Sequence, residues 1–341
     1  YCHVGSIDRK NHNPYQFEIV ETTIGCERCH GPGELHVKKF REHLGTETGG
    51  DDSTIVNPEK LTRELSEAIC QQCHLQGASM ATISGKQEWD YRPGLPLTDF
   101  RIDYQYRLGN EKMRIVGHVE QMHESECYKQ TETLTCKNCH DPHAPVVAED
   151  RIEFYRTTCL KCHDDQACGK SHDERVKLAG NNCYQCHMPK ADTNVAHAAF
   201  HHHRIGIHAK DGESSTQAVK GLTPVLDVTA IAKPEQQRCA AIAKVNLIRK
   251  RTNLPDLEAY AMEATGALIQ LKQVGPLDAT ANSKLAWLAQ TQGQRDIAES
   301  LAQETLKLEK RPTLARIDAV SILAAIAFQK GDKERAAALY R

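Results

Sequence analysis

The sequence is poor in the side chains from which a protein core is normally built. Aromatic residues make up 5% of its 341 residues and the hydrophobic fraction is 40%, and residues 1–208 contain few aliphatic runs. The longest apolar stretch, around Ala319 to Phe328, is shorter than the roughly 18 residues that cross a bilayer. No basic stripe typical of nucleic-acid binding occurs. We therefore predict no transmembrane segment in this chain, no nucleic-acid partner, and an interior that something other than side chains fills in residues 1–208.

Cysteine, by contrast, is abundant and regularly spaced. Ten of the 14 cysteines form five pairs in which two residues separate the cysteines and a histidine follows the second. These CxxCH sites are Cys26-Cys29-His30, Cys70-Cys73-His74, Cys136-Cys139-His140, Cys159-Cys162-His163 and Cys183-Cys186-His187. A single CxxC pair also suits half of a zinc site or a redox dithiol. Neither needs histidine after every pair, so the repetition predicts covalently attached heme c.

The spacing matches the chemistry of one porphyrin. Cysteines three positions apart lie on one helical turn, so both sulfurs reach the vinyl groups of a single ring. The following histidine supplies the proximal iron ligand. The sequence begins Tyr1-Cys2-His3, and we interpret this as a sixth site that lacks its first residues, with Cys2 for attachment and His3 as proximal ligand. We expect about six hemes, five of them on complete sites.

Histidine exceeds what the proximal positions need. Of 18 histidines, six are proximal and the other twelve all precede residue 209. Surface residues would not respect that boundary, so many of the twelve are expected to be distal ligands of low-spin bis-histidine hemes. Of the neighbours His201, His202 and His203, one or two should be bystanders because they point in different directions. Met122 and Met188 are alternative ligands that the histidine surplus disfavours.

The order of short motifs along residues 1–208 resembles that of a known family. The motifs are Gly25–Gly33 with His36, Tyr91–Gly94, Gly117–Met122 through to Cys127, Leu134–His143, Cys159–His163, Cys183–Pro189 through to His197, and His203–Ile205. They resemble multiheme cytochromes with C-terminal tetratricopeptide repeats, which are relatives of the multiheme cytochromes that serve hydroxylamine oxidoreductase. The resemblance implies distal ligands at His36, His118, His143, His197 and His203, with His172 as a sixth.

The composition changes along the chain and predicts three parts. We expect a mainly α protein with much irregular structure: a heme-packed domain over 1–208, a linker over 209–234 and helical repeats over 235–341. In the last part Leu285, Ala286, Gly293 and Ala298 recur as Leu323, Ala324, Gly331 and Ala336. Small residues allow close helix packing and glycine makes the turn. The pattern resembles a tetratricopeptide repeat; a plain helical bundle is the alternative.

Two further expectations concern the ends of this segment and the remaining cysteines. A degenerate earlier helical pair is expected over Glu235 to Leu271, and further repeats are expected after Arg341. Cys127 and Cys168 form either a disulfide around the last hemes or two buried free thiols. Cys239 is expected to be packed among helices.

These features predict an electron-transfer cytochrome whose repeats dock a redox partner protein. Heme chemistry explains the sequence without a catalytic side chain. Covalent heme c is attached outside the cytoplasmic membrane, so we expect a periplasmic or extracellular protein. Two alternatives remain: an oxidoreductase of the nitrogen or sulfur cycle with one open-coordination heme, and a self-assembling subunit of an extracellular cytochrome filament.

The heme count tests the motif assignment. The purified holoprotein should contain about six hemes per chain by the pyridine assay, or five if the incomplete site at Cys2 does not load. One zinc ion per pair of CxxC motifs, with no porphyrin absorption, would contradict the assignment.

Overall fold

The computed structural model describes residues 2–9, 16–42, 52–107, 116–193, 195, 199–208, 219–250, 256–309 and 312–340. These residues are mainly helical, with little strand and much irregular structure, which confirms the predicted fold class. No helix in the described ranges is long and apolar enough to cross a membrane.

The first 208 residues contain short elements separated by long irregular connections. The helices there are α1 (Glu27–His30), α2 (Glu34–Glu42), α3 (Arg63–His74), α4 (His118–His123), α5 (Glu126–Gln130), α6 (Arg151–Leu160), α7 (His172–Ala179) and α8 (Cys183–His187). The strands are β1 (Ser6–Arg9), β2 (Phe17–Glu21), β3 (Ser79–Thr82), β4 (Arg101–Arg107), β5 (Lys190–Asp192) and β6 (Ala199–His201). β1 pairs with β2 and β5 with β6, both antiparallel.

A three-stranded antiparallel sheet connects the two halves of the chain. Its order is β3-β4-β7, in which β7 is Val219–Pro224. β7 lies within the stretch that composition predicted as a linker; residues 209–218 of that stretch lie outside the described residues. Ile102 and Tyr104 of β4 join one buried apolar cluster with Ile242 and Val245 of the first helix after the sheet. The sheet therefore packs directly on the helical segment.

Six helices form the described part of this segment. They are α9 (Lys233–Lys250), α10 (Leu257–Val274), α11 (Ala279–Thr291), α12 (Arg295–Lys307), α13 (Thr313–Gln329) and α14 (Lys333–Tyr340). Helices α9 and α10 occupy the region where an early helical pair was expected. The next two pairs are α11 with α12 and α13 with α14. Gly293 and Gly331 lie in the turns within these pairs, with φ of 77° and 83°. This is a left-handed conformation that glycine adopts without steric cost. Ala286 and Ala324 are fully buried, as close helix packing requires.

The apolar core is distributed unevenly along the chain. Among the described residues, most of the buried apolar side chains lie in the helical segment, and a smaller cluster surrounds Leu75 and Phe100 near α3. Among the described residues of 123–208, no apolar side chain is buried. Large side chains such as Phe154, Leu178 and Phe200 are instead exposed there. The side chains alone do not provide residues 123–208 with a core. The cluster around Leu75 and Phe100 shows that the expectation does not hold for all of residues 1–208.

A buried ion-pair network joins three of the segment's helices. Asp318 of α13 accepts hydrogen bonds at 2.8 Å from Lys284 of α11 and from Arg249 of α9. Burial by itself raises the pKa of Asp318, but the hydrogen bond from Arg249 and the charge of Lys284 lower it below the usual carboxyl value. The carboxylate consequently stays charged and fixes the three helices relative to one another.

Removing the Asp318 charge should destabilise the helical segment. Asp318→Asn leaves Lys284 buried without its counter-charge, so we expect the free energy of unfolding to fall by about 3 kcal/mol, measured by denaturant titration followed by circular dichroism. The lowered pKa means that the ion-pair contribution is present above the usual carboxyl pKa and is lost as the pH falls through the lowered value. The matched control is Glu263→Gln, which removes a solvent-exposed pair with Lys244 and should change stability by less than about 1 kcal/mol. Equal effects of the two changes would contradict the role of Asp318.

Candidate heme attachment sites

Each complete CxxCH sequence folds as a single tight turn. The backbone N–H of the histidine donates to the carbonyl of the first cysteine at 2.9 Å in the Cys26 site and at 3.0 Å in both the Cys136 and Cys159 sites. The Cys70 site forms the last turn of α3 and the Cys183 site forms α8. Gly31, with φ of 77°, ends α1 directly after His30. The two sulfurs and the imidazole of each site therefore lie on one turn, as heme c attachment requires.

Sites that are far apart in the sequence have their thiols in contact. Cys2 hydrogen-bonds to Cys73, which lowers the pKa of Cys2 to about 6. Cys70 hydrogen-bonds to Cys136, which lowers the pKa of Cys70 and raises that of Cys136. Burial and the charge of the neighbouring Cys183 raise the pKa of Cys159 to about 11. The attachment sites are consequently neighbours rather than separate units.

Two proximal histidines have their Nδ1 atom held by the backbone. Nδ1 of His30 lies 2.8 Å from the carbonyl oxygen of Val56, and Nδ1 of His187 lies 3.0 Å from that of Gly206. A carbonyl only accepts, so Nδ1 donates and the lone pair of a neutral imidazole is on Nε2. This is the tautomer that coordinates a metal, and a hydrogen bond of this kind fixes the ring orientation. Sequence reasoning missed both carbonyls because any residue type supplies one.

Four histidines lie close together in the heme region. His74 Nδ1 lies 3.3 Å from His118 Nδ1, and the rings of His118 and His203 have centroids 4.5 Å apart. The ring of His140 is 6.2 Å from that of His203, with an angle of 26° between planes. Burial lowers the pKa of all four, to about 4 for His118 and to about 3 for His203. They are neutral at pH 7, the form that binds iron.

The other predicted ligands have varied surroundings. His143 faces His30 with ring centroids 5.9 Å apart. Nδ1 of His36 lies 2.6 Å from the Asp52 carboxylate, which leaves its Nε2 free. His172 is exposed at the start of α7 with Nδ1 3.5 Å from Asp173, and makes no ring contact with a described histidine.

The remaining predicted ligands are His3, His163 and His197. His3 and His163 are exposed. His197 lies outside the described residues.

The neighbouring histidines 201 to 203 differ in their hydrogen bonds. Nδ1 of His202 accepts from the backbone N–H of Arg204 at 2.9 Å, so its proton is on Nε2 and this fully buried ring is not available to iron through Nε2. Nδ1 of His203 donates to the carbonyl of His201 at 3.0 Å, and Nδ1 of His201 donates to that of Met188 at 2.7 Å. Of the three neighbours, His202 is the one whose Nδ1 accepts a backbone hydrogen bond.

The remaining cysteines are not paired. All 14 cysteines are free thiols, so the structure has no Cys127–Cys168 disulfide. Cys127 and Cys168 are free, as in the alternative expectation of two buried free thiols, but both are only half-buried. Burial raises the pKa of Cys127, and a smaller contribution comes from the nearby Cys162. Cys239 is fully buried in the helical segment, as expected, and burial raises its pKa to about 12.

The residues present fit heme c. Paired free thiols on one turn supply thioether bonds, neutral imidazoles with a free Nε2 supply iron ligands, and residues 123–208 leave their large apolar side chains exposed for a porphyrin to cover. The five CxxCH sequences and the Cys2-His3 sequence would hold the hemes. The cysteines concerned are those at 2, 26, 29, 70, 73, 136, 139, 159, 162, 183 and 186. A bound heme supplies one-electron redox chemistry at its iron.

Comparison with known proteins agrees with this class of site. The chain is 23% identical over 173 residues to the multiheme cytochrome MtrA of Shewanella baltica (strain OS185). The match covers 49% of this chain and 43% of the relative, so the chain spans less than half the length of the protein that it matches. No family model and no solved structure matches. The similarity supports a multiheme cytochrome; the tetratricopeptide assignment and the relation to hydroxylamine oxidoreductase stay predictions.

Thiol chemistry distinguishes attachment cysteines from free ones. Alkylation of the denatured, unreduced holoprotein should modify Cys127, Cys168 and Cys239, because the other cysteines carry thioethers, and peptide mass spectrometry reads the result. A peptide in which Cys127 is linked to Cys168 would contradict the free-thiol state. Alkylation within a complete CxxCH site would contradict heme attachment there.

Proposed function

We propose that this protein is an electron-transfer multiheme c-type cytochrome whose hemes are coordinated by histidine on both sides. The observation that carries the proposal is the combination of CxxCH turns with neutral imidazoles that approach one another in pairs. Iron with two imidazole ligands is low-spin and changes oxidation state with little rearrangement, which suits electron transfer. No described side chain is needed for bond-making chemistry on a substrate.

Ring distances support particular ligand pairs. If each ring nitrogen is about 2 Å from the metal, two imidazoles on opposite sides of one iron have centroids about 6 Å apart. His30 and His143 are 5.9 Å apart, and His140 and His203 are 6.2 Å apart. Both separations agree with that distance. We assign His143 as the distal ligand opposite His30, and His203 as that opposite His140.

His118 is the remaining candidate for the site of His74. The two rings are 5.1 Å apart and nearly perpendicular, so a modest movement of one ring completes this pair. His36, His172 and His197 stay as proposed ligands for the other sites. Of the three, His36 has the strongest support, because Asp52 holds its Nδ1.

The thiol contacts support a continuous electron path. Cys2 meets Cys73, Cys70 meets Cys136, and Cys159 meets Cys183. Since the sulfurs bind the porphyrin edge, hemes at such sites have neighbouring edges. His143 directly follows the Cys136 site in the sequence, so its pairing with His30 brings the Cys26 site next to the Cys136 site. Electrons would pass between adjacent hemes without crossing a long stretch of protein.

The proposal includes a partner and a location. The sheet β3-β4-β7 fixes the helical segment against the heme region, so a redox partner protein bound by the helices would be held near the hemes. The helices expose Met262, Ile297 and Phe328, which are side chains common at protein interfaces. We expect a periplasmic or extracellular location, because covalent heme c is attached outside the cytoplasmic membrane.

Electron paramagnetic resonance of the oxidised holoprotein tests the coordination. The wild-type protein should give low-spin signals only. His143→Ala should convert the heme of His30, about one in six, to a high-spin form, because the iron loses its distal ligand. The control is His208→Ala, since Nε2 of His208 donates to the carbonyl of Arg204 at 2.9 Å and is not free for iron.

Two outcomes would contradict the proposal. A large high-spin signal in the wild-type protein that responds to nitrite or hydroxylamine would indicate an open iron and favour an enzyme. An unchanged low-spin spectrum in His143→Ala with full heme content would show that His143 is not the ligand opposite His30.

A further inference from the structure

A short segment directly after β6 has all of its backbone N–H groups hydrogen-bonded. It spans residues 202–206, and we call it the strap. Three of these N–H groups donate to acceptors nearby, which are the carbonyls of Pro189 and His187 and Nδ1 of His202, at 2.9, 3.1 and 2.9 Å. The other two donate to side chains from an earlier part of the chain. The strap is therefore fixed in place, although it belongs to no helix or strand.

The two side chains that hold the strap are Gln121 of α4 and Ser125, which lies between α4 and α5. Oε1 of Gln121 accepts from the N–H of His203 at 2.8 Å. The Ser125 hydroxyl accepts from the N–H of Ile205 at 2.7 Å and donates to the carbonyl of His203 at 3.3 Å. Both side chains are buried, with 7% and 1% of their surface exposed. The backbone on both sides of the His203 side chain is thus held by these two residues.

Ser125 stands at a position where serine usually has a different task. It directly precedes the first residue of α5, and a serine there normally accepts a hydrogen bond from the first turn of the helix. The Ser125 hydroxyl makes no such bond and contacts the strap instead. The sequence alone would assign Ser125 to helix capping, because the strap is far away along the chain.

Proximity alone does not decide how the His203 ring is oriented. Its centroid lies 4.5 Å from that of His118, with the rings nearly perpendicular, and 6.2 Å from that of His140, with an angle of 26° between planes. Nδ1 of His203 donates to the carbonyl of His201 at 3.0 Å, which selects the tautomer. The place from which the ring extends is set by the backbone. A displaced strap would change the angle to His140 or turn the ring towards His118.

We propose that Gln121 and Ser125 are positioning residues that set the orientation of the His203 imidazole relative to that of His140 on the iron that the two rings share. The proposal rests on the function proposed above, in which His203 is the distal ligand opposite His140. Groups hydrogen-bonded behind a ligand orient it and tune the metal. The angle between two axial imidazole planes sets the splitting of the iron d orbitals, and hence the g values of a low-spin heme. Both residues act through His203.

Electron paramagnetic resonance of the oxidised holoprotein tests the proposal. His203→Ala first identifies the heme, because one low-spin signal should be replaced by a high-spin one when the distal ligand is lost. The same low-spin signal should have shifted g values in Ser125→Ala and in Gln121→Met, which remove the contacts to the strap. Its intensity should be kept, since His203 is still present.

Two further variants distinguish positioning from a loss of stability. Gln121→Glu keeps an oxygen that accepts from the N–H of His203, so it should have the wild-type g values. The matched control is Ser283→Ala. Ser283 is fully buried in α11, and its hydroxyl donates to the carbonyl of Thr280 at 2.9 Å. This change removes a buried serine hydrogen bond far along the chain from the strap and should leave every signal in place.

The result for His203→Ala separates this proposal from the pairing on which it rests. If all hemes stay low-spin, His203 is not a ligand, and both the pairing with His140 and the role of the strap fail. If one heme becomes high-spin, but Ser125→Ala and Gln121→Met keep the wild-type g values at full heme content, the positioning role is overturned while electron transfer stands.

Hydrogen exchange of the wild-type holoprotein provides a test that needs no variant. The N–H groups of His203 and Ile205 donate to buried side chains, so the peptide that covers the strap should exchange slowly. Rapid exchange of this peptide would overturn the proposal, even if the variants at Gln121 and Ser125 do not load heme.

Discussion

The turn that places a histidine directly after two cysteines is the constraint on which the first 208 residues depend. It fixes both sulfurs and the imidazole at one point on the chain, so a porphyrin bound there has one edge and one axial ligand set by local sequence alone. The long connections then only need to bring a second imidazole to the opposite side. This explains why short helices, 3-10 turns and irregular segments suffice in this region, where the described residues of 123–208 bury no apolar side chain.

Backbone carbonyls fix the tautomer of an imidazole, which the local turn leaves undetermined. An imidazole binds iron through Nε2 only when the proton of the neutral ring is on Nδ1, and the carbonyls of Val56 and Gly206 select that form for His30 and His187. The opposite tautomer occurs at the fully buried His202, whose Nδ1 accepts from the backbone N–H of Arg204 and whose proton is therefore on Nε2. Hydrogen bonds of this second layer thus decide which of the surplus histidines are suited to iron.

Sequence was informative where function depends on residue type and short spacing. The CxxCH sites, the mainly helical fold and the glycine turns at Gly293 and Gly331 depend on local patterns, and the structure contains these elements where they were expected. It was uninformative where distant segments meet. Val219–Pro224 has the composition of a linker, yet pairs with β4, because the partner strand and not intrinsic propensity decides pairing. The state of Cys127 and Cys168 likewise depends on a distance that spacing does not encode.

The buried carboxylates of the two halves of the chain differ in how completely they are paired. Asp318 receives two cationic partners and is fully compensated, so its contribution is structural and changes little around neutral pH. Glu67 has one oxygen without a hydrogen bond, a cation at 3.6 Å and a histidine at 3.3 Å. An under-compensated buried carboxylate is a cost to stability, which the fully paired Asp318 avoids.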